Sequence, residues 1–189
     1  MATQSRMLAP GTAAPDFSLP DPAGKIHDLA DFAGSKALLV AFICNHCPYV
    51  KHIAGGLAQF AHDYQPLGVA VVAINSNDSS RYTDDSPPNM VKFAAQNGFA
   101  FPYLYDESQA VAKAYRAVCT PDLFLFDRAR QLVYRGQFDA SRPGNGQPVN
   151  GADLRAAADA LLAGRTVTQQ IASVGCSIKW KSGQQPDWA

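Results

Sequence analysis

The chain has 189 residues, of which 47% are hydrophobic, and its 16 basic and 16 acidic side chains cancel. That length suits one domain with additions, and the apolar share supports a core without disulfide or metal staples. A neutral, evenly mixed chain speaks against nucleic acid or a membrane surface as the main partner, and 14 Gly with 13 Pro speak against fibrous and disordered compositions.

Residues 1–16 read as a lead-in with Pro, Ala and Gly, and they hold no continuous apolar stretch of signal-peptide length. The stretch from Phe17 to Leu29 predicts two short strands around a turn at Asp21 to Gly24. Ala37 to Ile43 is a continuous apolar run, as in a strand buried on both faces of a parallel sheet. Extended to Cys44 it is eight residues, far short of the roughly 20 that a bilayer needs. Four cysteines are too few for a disulfide scaffold. The expected compartment is therefore the cytoplasm, with mostly reduced thiols.

Val50, Ile53, Ala54, Leu57, Phe60, Ala61 and Tyr64 recur at helical spacing over residues 48–64. Val69 to Ile74 predicts a second buried strand, and residues 75–88 a long polar loop with Asp84 and Asp85. Ser86 followed by Pro87 starts a helix that runs to Gly98. A strand over Phe101 to Tyr105 and a helix over Glu107 to Ala117 follow. Leu123 to Phe126 and Leu132 to Gly136 flank a short turn, which predicts a β-hairpin. Residues 139–151 read as loop and Asp153 to Leu162 as the last helix. Residues 165–189 show little periodicity and read as a C-terminal tail carrying Cys176 and Trp180. Buried strands alternating with helices, then a hairpin, predict an α/β fold: a mixed central sheet with helices on both faces, an N-terminal β-hairpin extension, a domain over residues 8–164 and a tail over 165–189.

The chemical signal is Cys44-Asn45-His46-Cys47-Pro48, placed where a buried strand meets a helix. Open α/β folds place ligands at that edge of the sheet. Free amides at a helix start favour a thiolate over a thiol. A C-x-x-C pair in this setting reads as redox-active. Pro48 fits the first helical position because it has no N–H. His46 is expected to stabilise the Cys44 thiolate and make the disulfide more oxidising than that of thioredoxin. Cys44, as the first cysteine of the turn, is expected to be the more exposed sulfur and the nucleophile, with Cys47 resolving. The competing reading is a zinc or copper site on Cys44, Cys47, His46 and His52. A structural zinc needs four ligands, usually two such pairs, and only one is present, so no metal and no cofactor are expected. His27 and His62 read as surface residues.

The stretch Ala14-Pro15-Asp16-Phe17-Ser18-Leu19, then Gly24-Lys25, the C-x-x-C after a strand, and Thr120-Pro121 before Leu123 to Asp127 resemble the thioredoxin-fold group that includes peroxiredoxins. The chain is most similar to AhpC/TSA peroxiredoxin-like proteins that carry a thioredoxin-type C-x-x-C. Asn45 to Tyr49, Phe101 to Glu107, Tyr134 to Gly136 and Gly175 to Lys181 all look like that subgroup, and the resemblance covers roughly residues 8–181. It implies a cis peptide before Pro121, packed against the cysteine pair, with the Thr120 backbone bared for an extended substrate chain.

The departures are equally specific. Peroxiredoxins carry Pro-x-x-x-Thr/Ser-x-x-Cys. In that register the cysteine is Cys47, the Thr/Ser slot is Cys44, the proline slot is Val40, and the arginine slot falls on Pro121. The resemblance to thioredoxin places the buried acid at Ala41 and the tryptophan at Ile43. His46, Asp106 and Glu107 stand as substitutes for the missing proton acceptor. Cys119, before the Thr-Pro turn, and Cys176, in the tail, are further candidate redox thiols.

The leading expectation is an enzyme exchanging a dithiol and a disulfide with a disulfide-containing protein or a small thiol. Its electron donor is not evident. The alternatives are a weak thiol peroxidase using Cys47, with antioxidant function, and a metal-binding or redox-sensing module.

Overall fold

The computed structural model describes residues 2–189. In chain order it contains β1 (Ala2–Gln4), β2 (Ser18–Pro20), β3 (Ile26–Asp28), β4 (Ala37–Phe42), α1 (Pro48–Tyr64), β5 (Val69–Asn75), α2 (Pro87–Asn97), β6 (Tyr103–Tyr105), α3 (Ala110–Ala114), β7 (Cys119–Thr120), β8 (Asp122–Phe126), β9 (Leu132–Gly136), α4 (Ala152–Leu162) and β10 (Val174–Ser177). Short 3-10 turns lie at Leu29–Phe32, Gln65–Leu67 and Thr83–Asp85.

The central sheet has the order β6-β5-β4-β8-β9. β4, β5 and β6 run parallel, β8 runs antiparallel to β4, and β9 runs antiparallel to β8. All of β4 is buried, as its unbroken apolar run requires. Alternation divides its side chains between two cores. Leu39, Ala41 and then Ile43 pack with α1, α2 and α4, whereas Leu38, Val40 and Phe42 pack with α3 and the β2–β3 hairpin. Each fully buried Leu, Ile or Phe here contributes roughly 1.5–3 kcal/mol. The result is the thioredoxin-like α/β arrangement, with helices on both faces of a mixed sheet.

Helix α1 buries every apolar position that the spacing singled out, and it begins at Pro48 with Cys47 as its N-cap. This fixes the cysteine pair at the carboxyl end of β4, under the first turn of a 17-residue helix. α3 is shorter than the helix predicted over Glu107 to Ala117. Gln109 and Arg116 take φ of 63° and 52°, the left-handed region that ends a helix. The Gln109 amide donates to the carbonyls of Ser76 and Lys179, which holds that turn.

The terminal segments depart most from expectation. Residues 165–189 are not a free tail. Their strand β10 is the middle of a second sheet of order β1-β10-β7. Ala2 to Gln4 of the lead-in covers its outer edge, and Cys176 and Ser177 pair with Thr120 and Cys119. Both segments outside 8–164 are thus built into the fold at the end of the sheet that carries the cysteines. Among the described residues, no helix is long and apolar enough to cross a membrane.

Candidate functional site

Cys44 follows β4, and Cys47 caps α1. Cys44 Sγ lies 3.2 Å from the Thr120 hydroxyl, and Cys47 Sγ lies 3.1 Å from the Thr120 carbonyl oxygen. The Thr120–Pro121 peptide is cis, as the resemblance implies. Thr120 therefore meets both sulfurs, one through its side chain and one through its backbone.

Both sulfur-bearing residues are 0% exposed, so access does not set Cys44 apart. Ionisation favours the other sulfur. Cys44 donates to Cys47, burial opposes the charge, and Cys176 adds a second thiol contact; the balance lowers Cys47 to about 4. The Val50 amide at the helix start faces Cys47 without closing a full cap hydrogen bond. Cys44 is raised well above the ordinary thiol value by its bond to Cys47, by burial and by the charge of Asp85. Exposure does not single out Cys44, which is fully buried, and the proton shared by the two sulfurs is drawn toward it.

The reason is Asp85, at the end of the 3-10 turn after β5. It is fully buried. One carboxylate oxygen accepts from the amides of Asn45 at 2.7 Å and His46 at 3.4 Å. The other accepts from the Asn77 side chain at 2.8 Å and meets His46 Nδ1 at 2.6 Å. Burial works against its charge, but the bonds from His46, Asn77 and Asn45 outweigh it and hold its pKa below the usual carboxylate value. The same hydrogen bond raises the pKa of His46 against the effect of burial. His46 also stacks on Tyr82, with centroids 5.6 Å apart. Its positive charge therefore arrives already matched by Asp85, and the histidine acts on the sulfurs as half of a pair.

Sequence reasoning missed Asp85. Ala41, in the central strand, carries no acid, and the site takes its carboxylate from the neighbouring strand's exit loop. Asp106 is engaged elsewhere, accepting from Ser76 Oγ at 2.8 Å and the Ala112 amide at 2.9 Å, and Glu107 is exposed. A signal was present: β5 lies parallel to β4, with Ile74 opposite Phe42, so the polar loop after β5 exits at the same edge as the cysteines.

Cys44, His46 and Asp85 present three donor atoms within 4.8 Å of one another. His52 is not part of that cluster, so the four-ligand set considered from sequence does not assemble. The His46–Asp85 hydrogen bond already accounts for the spacing of two of the three donors. Cys119 is buried, and burial first, then the charge of Asp122, keeps its thiol well above the ordinary value. His62 is exposed as expected, but His27 is buried and sits 3.3 Å from Asp21. Arg135 is fully buried and committed to Asp122 and to the Arg116 carbonyl, each at 2.8 Å. Among the described residues no arginine bonds either active-site sulfur.

The Thr120 backbone is not bare. β10 pairs with it, Cys176 opposite Thr120. In this structure the edge expected to receive an extended substrate holds the chain's own strand.

The pairing of His46 with Asp85 carries an expected outcome. In His46→Ala the Asp85 charge is left without its cation beside Cys44, so ionising the sulfur pair becomes harder. Ultraviolet thiolate absorbance is expected to move to higher pH, by about one unit for a loss of about 1.4 kcal/mol. An unchanged thiolate titration would identify His46 as a surface residue with no part in the site.

A family model described as the AhpC/TSA family matches residues 10–135. A crystal structure of a hypothetical protein from Sinorhizobium meliloti is 55% identical, with a TM-score of 0.94, over 96% of this chain and 100% of that one. Thiol-disulfide oxidoreductase ResA of Geobacillus thermodenitrificans is 30% identical over 126 residues, 67% of this chain and 68% of the relative. Peroxiredoxin Bcp of Escherichia coli is 30% identical over 108 residues, 57% of this chain and 64% of the relative.

Proposed function

The chain belongs to the AhpC/TSA family, and we propose that it is a thiol-disulfide oxidoreductase of that family whose Cys44–Cys47 pair passes two electrons to disulfides. The observation that carries this reading is the geometry of the pair. Cys44 follows β4, Cys47 is the N-cap of α1, and the two sulfurs converge on Thr120 at 3.2 and 3.1 Å. Such a pair closes to a disulfide as an external disulfide opens to two thiols. The His46–Asp85 ion pair stands beside Cys44. The similarity to a ResA protein over two thirds of the chain supports the same chemistry.

The substrate class follows from what covers the site. With β10 on the Thr120 edge and both sulfurs buried, small disulfides are favoured over extended protein chains, which would have to displace that strand. The cytoplasmic compartment belongs to the proposal as well. It rests on the sequence alone, and fractionation of a tagged chain tests it.

The similarity to a peroxiredoxin over 108 residues favours a second reading, slow peroxide reduction at Cys47 with an antioxidant role. Position 44 is a cysteine where peroxiredoxins have Thr or Ser, and Arg135 is committed to Asp122. Each missing oriented donor typically costs about 10²–10³ in rate.

One preparation separates the two readings. The wild-type protein is expected to reduce glutathione disulfide faster than insulin, and both faster than hydrogen peroxide. Cys44→Ser and Cys47→Ser are each expected to abolish disulfide turnover. Peroxide consumption at the rate of dedicated peroxiredoxins would reverse the order of the two readings. A stoichiometric metal surviving purification, lost together with the Cys44, His46 and Asp85 side chains, would favour a binding or sensing module instead.

A further inference from the structure

Cys176 is the one cysteine at this site that is not fully buried. It is half-buried, whereas Cys44 and Cys47 are fully enclosed. It arrives by strand pairing, with its Cα opposite that of Thr120, whose carbonyl holds Cys47. Its side chain faces the Cys47 sulfur and packs against the same apolar cluster that contains both active-site cysteines.

The strand that carries it is held on both sides of that point. Gly175 lies so close to Thr120 that a Cβ there would come within 2.0 Å of the Thr120 carbonyl oxygen. Beyond it, the Ile178 amide donates to the Val118 carbonyl, and Lys179 exchanges hydrogen bonds with Asp78 and Asn77 in the loop after β5. Before it, Ser173 is bonded to Ser5 and to the Gly136 carbonyl. A cysteine held this firmly against a second thiol is poised for exchange.

We propose that Cys176 is the outer thiol of a three-cysteine relay, Cys176 to Cys47 to Cys44, through which external disulfides reach the buried pair. The proposal rests on the exchange reading above and adds the entry step. The Cys176 thiolate attacks a small disulfide, forming a mixed disulfide and releasing one thiolate. The Cys47 thiolate then attacks Cys176 Sγ, forming the Cys47–Cys176 bond and expelling the second thiolate. Finally Cys44 attacks Cys47 Sγ, its proton going to the departing Cys176 thiolate. This closes Cys44–Cys47 and frees Cys176. Overall, Cys44 and Cys47 are oxidised and one disulfide is reduced to two thiols. In reverse, the relay delivers a disulfide outward. Burial and the proton held toward Cys47 raise Cys176 to about 11, so the attacking thiolate is scarce at neutral pH and entry is slow and base-dependent.

The test uses the full chain and glutathione disulfide as the probe. In Cys44→Ser the last step is blocked, and peptide mapping without reduction is expected to find Cys47 linked to Cys176. In Cys176→Ser and Cys176→Ala the Cys44–Cys47 disulfide is expected to form about tenfold more slowly or worse, because the positioned intramolecular step is lost, yet to reach completion. Quenched time points of the wild-type protein supply a readout that needs no variant. A glutathione adduct on Cys176 is expected first, then Cys47–Cys176, then Cys44–Cys47. If Cys44→Ser acquires only glutathione adducts, or if both Cys176 variants are oxidised at the wild-type rate, the relay is wrong and direct exchange at the pair stands. If the wild-type protein forms no Cys44–Cys47 disulfide at any glutathione ratio, the exchange reading fails and the relay with it.

Discussion

Replacing Asp85 with alanine is expected to destabilise the protein by about 3–5 kcal/mol, the usual cost of removing one partner from a buried charged pair. The carboxylate is fully buried and serves two backbone amides, the Asn77 amide and the His46 ring at once. Alanine leaves those donors facing an apolar void, and each unsatisfied buried group costs roughly 1–3 kcal/mol. Asp85→Asn separates charge from shape, because an amide oxygen still accepts but holds no charge for His46. The pH dependence follows from the two directions. The pKa of Asp85 is lowered in the folded state, so its contribution is present above the unfolded value and is lost as pH falls through the folded one. The pKa of His46 is raised, so its contribution is full below its unfolded value and is lost as pH rises through the folded one. The stability difference between wild type and Asp85→Asn should therefore be widest between about pH 4 and 6.5 and shrink on either side. Denaturant melts across that range measure it, and a difference that is flat with pH would remove the ion pair from the account of the site.

Gly175→Ala is the second large effect. The added methyl would sit 2.0 Å from the Thr120 oxygen, 2.6 Å from its carbonyl carbon and 3.0 Å from the Pro121 nitrogen. All three are backbone atoms beside the cysteine pair, so no side chain can swing away to make room. β10 must lift from β7, which breaks the Cys176–Thr120 pairing and withdraws Cys176 from Cys47. Overpacking of this kind costs about 1–3 kcal/mol or more. For a chain of this length that lowers Tm by about 2–4 °C per kcal/mol. Alongside the loss in Tm, mass-mapped alkylation is expected to show Cys176 reacting as a free surface thiol and Cys47 becoming reachable. A variant that keeps the wild-type Tm and the wild-type order of alkylation would mean that β10 does not dock against Thr120 in solution.

These two predictions concern the parts of the site that were hardest to read from the sequence. The helix over Pro48–Tyr64 was legible because proline can start a helix and because its apolar side chains recur at 3.6-residue spacing. β4 and β5 were legible because strands buried on both faces need unbroken apolar runs. The cysteine pair was placed at their junction for the same local reasons. β10 has no such marker: Val174 to Ser177 is short and of mixed polarity, and it is held by backbone pairing to a two-residue strand. Backbone hydrogen bonds do not depend on side-chain identity, so periodicity is silent about them.

The succession of helices and strands from β2 to α4 (β7 apart), the helix start at Pro48 and the closeness of Cys44 to Cys47 were determined by the sequence alone, because each is set by residues within a turn or two of one another. The charge balance of the site was decided only by the tertiary structure. Asp85 is remote from Cys44 along the chain and Cys176 far more so, and each reaches the pair through strand order: β5 beside β4, and β10 beside β7. Electrostatic energies depend on separation in space and on exclusion of water. The same His46 that looks like a lone cation beside Cys44 in the linear sequence is, once folded, neutralised by a buried carboxylate at 2.6 Å.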